Sequence, residues 1–193
     1  MAEVLLFHHC LGLTAGVGAF AEELRRAGHT VHTPDLYEGR TFTDLTSGVG
    51  HAQEVGFGTL LERGERAAAD LPAEIVHAGF SLGALPAQKL AQTRPGSRGA
   101  LLFSACVPVS EFGAEWPEGV PVQVHGMDAD PFFVDDGDLA AARALVADAA
   151  DRRLFLYPGD AHLFAERGTP SFVPEATALC LERTLCFLDG LPR

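Results

Sequence analysis

Cysteine is scarce in this chain. Four residues, Cys10, Cys106, Cys180 and Cys186, are spread over 193 positions. No C-x-x-C occurs, and no His/Cys spacing fits a structural zinc. Cys180 and Cys186 fall six apart on one predicted helix and face different sides of it. A disulfide framework is therefore not expected, and reduced thiols point to a reducing, cytoplasmic setting. Long apolar runs are missing too. No segment approaches the ~18 residues needed to span a bilayer, and the opening MAEVLLFHH has neither the basic stretch nor the apolar length of a secretory signal. Positive charge is in short supply: 14 Lys and Arg stand against 26 Asp and Glu, a net charge of −12. Such a surface repels nucleic acid and anionic membrane alike, so neither is expected as a partner.

What remains is ordinary globular material, 47% hydrophobic and 21% charged. The length suits one domain over 1–193, large enough to bury roughly 70% of the surface of its unfolded form. No repeat, charge block or linker divides it. Short apolar runs predict six strands, at Val4–Phe7, Thr30–Thr33, Glu74–Ala78, Gly99–Phe103, Pro121–His125 and Leu154–Tyr157. Between them lie helical patterns. Phe20, Leu24 and Ala27 share a face closed by Gly28. Further helices are expected over 59–70, from residue 84 or so to Thr93, over Asp138–Ala150 with Asp136 or Asp138 as its cap, and from Pro174 to a stop at Gly190. Residues 38–58 resist this description. Gly39, Gly48, Gly50, Gly56 and Gly58 interrupt every periodicity, and the segment reads as an irregular excursion, either over a pocket or simply connecting two elements. A second loop, 104–119, carries Phe112 and Trp116.

Alternating strands and helices predict an α/β fold, a mostly parallel sheet with helices on both faces. In such sheets, sites lie beyond the carboxyl ends of the strands. That rule selects Ser81 in GFSLG, residues 79–83, which follows a predicted strand and precedes a predicted helix. Flanking glycines let strand and helix approach closely while the serine projects from a strained elbow. A serine hydroxyl needs a base. Only His125 and His162 follow Ser81, and His162, in YPGDAHLF, falls in a loop just past the last strand. The acid belongs past the fifth strand, where HGMDADPF offers Asp128 and Asp130. Pro131 fixes the chain after Asp130 and favours it. The main-chain N–H groups of Leu82 and, from the loop HHCLG, of Cys10 are candidates for an oxyanion hole. The run His8-His9-Cys10 suggests a metal, but neighbours on a strand point to opposite sides, so no metal is expected. His77, inside a predicted strand, reads as packing.

Nearly end to end, the motifs HHCLGL, TPDLYEGR, GFSLGA, HGMDADPF, YPGDAHLF and LERTLCFL resemble the dienelactone hydrolase family of α/β-hydrolases. The resemblance implies a single-domain hydrolase that opens an ester or lactone without a cofactor. It matches Ser81 to the nucleophile, His162 to the base and Asp130 to the acid. The chain departs from the family pattern at three places. The best-known members have cysteine where Ser81 stands, glutamate where His9 stands, and a substrate-binding arginine where Glu166 stands, with Arg167 next along. His9 is then expected to contact substrate beside Ser81, and Arg40 is a candidate for an anion contact. The expected function is a serine hydrolase with a Ser-His-Asp triad acting on a small ester or lactone. The competing expectation is a ligand-binding protein with slow or no turnover on the same scaffold.

Overall fold

The six apolar runs become β1 (Glu3–Phe7), β2 (Thr30–His32), β3 (Val76–Phe80), β4 (Gly99–Phe103), β5 (Val122–Met127) and β6 (Arg152–Tyr157) in the structure, a computed structural model describing residues 1–113, 115–147 and 150–192. They form one sheet in the order β2-β1-β3-β4-β5-β6, with every neighbouring pair parallel. The helices are α1 (Ala15–Arg26), α2 (Leu45–Val55), α3 (Phe57–Ala69), α4 (Ala84–Thr93), α5 (Pro131–Val134), α6 (Asp138–Val146) and α7 (Pro174–Gly190).

Strand residues alternate between two buried layers. Leu5, Phe7 and Leu102 pack with Ala52, Leu60, Leu90 and Leu145 from α2, α3, α4 and α6. Val4, Leu6 and Leu101 pack with Phe20, Leu24, Cys180 and Leu188 from α1 and α7. Both faces are covered, which is why the central strands read as unbroken apolar runs and not as alternation. Connections that cross over place every functional loop on one edge, the carboxyl ends of β1, β3, β4, β5 and β6.

Boundaries shift where local signals are weak. β3 begins at Val76 and runs up to Ser81 itself. α6 closes at Val146, and of the four further residues expected in it, 148–149 lie outside the described residues. The larger departure is α2, a helix inside the segment expected to be irregular. Asp44 starts it by accepting from Ser47 N–H at 2.8 Å, and Gly56, at φ 88°, ends it. Its internal glycines do different things. A Cβ on Gly48 would run into the carbonyl of Cys10, whereas a Cβ on Gly50 would meet nothing within 4 Å. Gly48 thus lets α2 lie against the loop after β1, and packing outweighs the poor helix propensity. Gly50→Ala should therefore stabilise the fold by about 0.5–1 kcal/mol, since it relieves only the glycine penalty. Gly48→Ala should cost about 1–3 kcal/mol through overpacking. Urea midpoints of the two variants check the opposite signs.

His8, His77 and His125 are buried as neutral rings. His8 Nε2 accepts from Leu36 N–H at 2.9 Å, so its Nδ1–H donates to His9 O at 2.7 Å. His77 lies 3.0 Å from Ser97 Oγ. His125 stacks between Phe103 and Phe155 and spans Gln123 Oε1 at 3.1 Å and Tyr157 Oη at 2.8 Å. Burial pushes His8 down to about 4 and His77 and His125 down to about 3, with Arg94 and Arg183 adding to the last two. In the unfolded chain each takes up a proton near pH 6.5. Stability is then full above pH 6.5 and falls as the unfolded state binds protons that the folded state refuses. The expected loss by pH 5 is about 2 kcal/mol per histidine. Urea titrations at pH 7.5 and pH 5 measure it, and equal midpoints would contradict it.

Candidate active site

Ser81 leaves β3 in a strained conformation, with φ at 48°. The glycines around it make this possible. A Cβ on Gly79 would strike the Gly83 carbonyl, and one on Gly83 would lie 2.5 Å from His8 O. No larger residue fits either place, so the strand, the single 3-10 turn at Ser81–Gly83 and α4 meet at this spot.

The loop after β6 brings His162 over Ser81, with Oγ 2.7 Å from Nε2. His162 Nδ1 lies 2.7 Å from Asp130 Oδ2. Asp130 is wholly buried. Its other oxygen accepts from Phe132 N–H at 3.0 Å and caps α5, with Pro131 in the first turn. One carboxylate therefore starts a helix and holds an imidazole. With the proton on Nδ1 facing Asp130, the Nε2 lone pair faces the serine hydroxyl. Asp128 is turned elsewhere: it is exposed and accepts from Gly159 N–H at 3.0 Å, bracing the loop that carries His162. His125, the other histidine after Ser81, is enclosed in the sheet as described above.

Ser81 and His162 open into a cavity of about 250 Å³. Its wall is mostly apolar, with Leu45, Val49 and Ala52 from α2, Phe57 from α3, and Leu85, Val107 and Phe132. The segment expected to be irregular thus supplies one wall as a helix. Cys10 and Leu82 line the same cavity, and neither main-chain N–H donates in the turn, loop and cap hydrogen bonds of the described residues. Burial pushes the Cys10 thiol up to about 11, so it is no thiolate at neutral pH.

A model of the dienelactone hydrolase family matches residues 1–191. The chain belongs to the dienelactone hydrolase family. Solved structures agree on the fold. A proposed dienelactone hydrolase from Klebsiella pneumoniae subsp. pneumoniae MGH 78578 superposes with a TM-score of 0.76 at 18% identity, over 98% of this chain and 87% of that one. Dienelactone hydrolase from Anabaena variabilis ATCC 29413 does so with a TM-score of 0.68 at 16% identity, over 100% and 88%. A curated relative, pimeloyl-[acyl-carrier protein] methyl ester esterase of Cronobacter sakazakii (strain ATCC BAA-894), is 30% identical over 122 residues, which are 63% of this chain and 43% of that relative. The match thus spans less than half of the relative's length.

Two of the positions where this chain departs from the dienelactone hydrolase pattern turn out to be partners. His9 Nε2 lies 2.9 Å from Glu166 Oε2, and both side chains are buried. Leu11 N–H donates to His9 Nδ1 at 3.2 Å, which leaves Nε2–H to donate to Glu166. Thr14, which caps α1, donates to Glu166 Oε1 at 2.7 Å. A Cβ on Gly16 would overlap that carboxylate, so the glycine makes room for it. His9 is therefore absent from the lining of the Ser81 cavity, where a substrate contact was expected; its ring instead lines a separate small cavity with Gly16 and Glu166. Arg40 is exposed and absent from the cavity lining as well; its main-chain N–H donates to Tyr37 O at 3.2 Å and its carbonyl packs against Gly12, at φ 89°. Among the described residues, no three His, Cys, Asp or Glu side chains are grouped to hold a metal.

Two cavity residues carried no sequence signal of their own. Ser104, buried after β4 at φ 58°, lines the floor. Asp138 reads as a helix cap but has its carboxylate on the cavity wall, where Oδ2 accepts from Cys106 N–H at 3.2 Å. Burial pushes it up to about 6, against the pull of that hydrogen bond.

Proposed function

We propose that this protein is a serine hydrolase that opens a small carboxylic ester or lactone through an acyl-enzyme. The observation that carries this is the unbroken chain from Ser81 Oγ to His162 to Asp130, with both links at 2.7 Å, on the floor of an apolar cavity. His162 Nε2 takes the hydroxyl proton as Oγ attacks the carbonyl carbon. Asp130 holds the imidazole tautomer and stabilises the imidazolium that forms. The N–H groups of Cys10 and Leu82 receive the negative charge on the carbonyl oxygen. His162 then passes its proton to the leaving alcohol, and water, activated the same way, releases the acid. The small cavity favours a small substrate, and the esterase relative supports an ester over an amide.

Four free cysteines and a strongly acidic surface support a cytoplasmic setting and a small-molecule partner. No helix among the described residues is long and apolar enough to cross a membrane. Turnover of p-nitrophenyl esters and small lactones tests the proposal. Saturable hydrolysis supports it, and no turnover of any member by a folded protein favours the binding-protein alternative.

A further inference from the structure

Charge on the wall of the Ser81 cavity is of one sign. Apart from His162, the ionisable side chains that line it, other than the protonated Cys10 thiol, are Asp136 and Asp138, and no Lys or Arg among the described residues joins them. A second groove, of about 520 Å³, adjoins it. It shares Phe57, Leu85, Val107, Asp136 and Asp138 with the cavity and adds Leu61, Phe112 and Glu111. Any group reaching out from the reacting carbonyl along this path slides over apolar surface, passes both aspartates and meets a third carboxylate.

Asp138 is fixed by the Cys106 N–H, not free to swing into solvent. Asp138 lines the same cavity as Ser81 and His162, which places its charge on the wall around the reacting atoms. Asp130, beside His162, has both oxygens committed, to His162 and to the start of α5. Asp136 and Asp138 thus face the cavity with no Lys or Arg of the described residues lining it, and the apolar neighbours of the half-buried Asp138 weaken the solvent screening of its charge.

We propose that this site accepts uncharged and positively charged esters and turns away esters bearing a carboxylate, with Asp136 and Asp138 setting the choice. This rests on the hydrolase proposed above. An anion brought past two uncompensated carboxylates meets a repulsion worth about tenfold or more in rate, whereas a cation meets none.

The test uses matched p-nitrophenyl and phenyl esters of one length. Each is made neutral, carboxylate-bearing and trimethylammonium-bearing, with the charge placed first on the acyl end and then on the alcohol end. In at least one series kcat/KM should fall about tenfold or more from the neutral to the anionic ester, with the cationic ester not slowed. Raising the salt should shrink the gap. Asp138→Asn, and separately the exposed Asp136→Asn, should each narrow the anion-to-neutral ratio measured within one variant. Asn retains an acceptor for the Cys106 N–H, and Asp136 keeps the test alive if the Asp138 variant fails to fold. Three outcomes would overturn the proposal: anionic and neutral esters equally fast in both series, both charged esters slowed alike (a desolvation cost with no sign), or ratios unmoved in both variants. In each case hydrolysis of the neutral ester still stands, so the hydrolase proposal survives. If no ester is turned over, it is that proposal that fails.

Discussion

Ser81→Ala should lose on the order of 10⁶ in kcat on a good neutral ester while keeping its fold, because removing a triad serine leaves only binding and oxyanion stabilisation. The structure makes this a clean substitution. Ser81 Oγ contacts His162 Nε2 at 2.7 Å and makes no other side-chain hydrogen bond among the described residues. The elbow depends on Gly79 and Gly83. The far-UV spectrum and urea midpoint should stay close to wild type. An unchanged fold with ester turnover within tenfold of wild type would remove Ser81 from the mechanism.

The next largest effect separates two aspartates that lie two residues apart. Asp130→Asn should lower kcat by about 10⁴, because a neutral amide against Nδ1 neither holds the useful tautomer nor stabilises the imidazolium. The variant should still fold, since asparagine caps a helix about as well as aspartate and can keep accepting from Phe132 N–H. Asp128→Asn should change kcat by less than tenfold, as the amide oxygen can still accept from Gly159 N–H. Steady-state kinetics of the pair check this, and the reverse ranking would transfer the acid's role to Asp128.

This pair also shows where sequence reasoning reaches and where it stops. The Ser81 elbow is legible because its cause is local: a strand, two glycines and a helix in one short stretch. The parallel sheet is legible because buried strands have a composition of their own. Asp130 and Asp128 both sit in a polar loop after the same strand, and in the sequence only the following Pro131 favours Asp130. What distinguishes them in space is that one is buried as a helix cap and the other braces Gly159 in the open. The expectation that His9 contacts substrate rests on the family pattern, which has a glutamate beside the nucleophile at that position. The actual direction of His9 is set by Glu166 and by the space over Gly16, neither of which leaves a local trace. The α2 helix was missed because its glycines argue against helix, and the reason for one of them, contact with the Cys10 carbonyl, is tertiary. The acidic cavity wall was invisible for the same reason: Asp138 reads as a helix cap until β4 and its following loop bring the Cys106 N–H to it.

The most direct measurement is covalent. The protein should be treated with a fluorophosphonate, followed in parallel by ester turnover and intact mass, and then digested to locate the adduct. One phosphonyl group should add per chain, on the peptide containing Ser81, with activity lost in proportion, and Ser81→Ala should take up none. Inactivation with the label on another residue, or full turnover by protein already labelled at Ser81, would contradict the account.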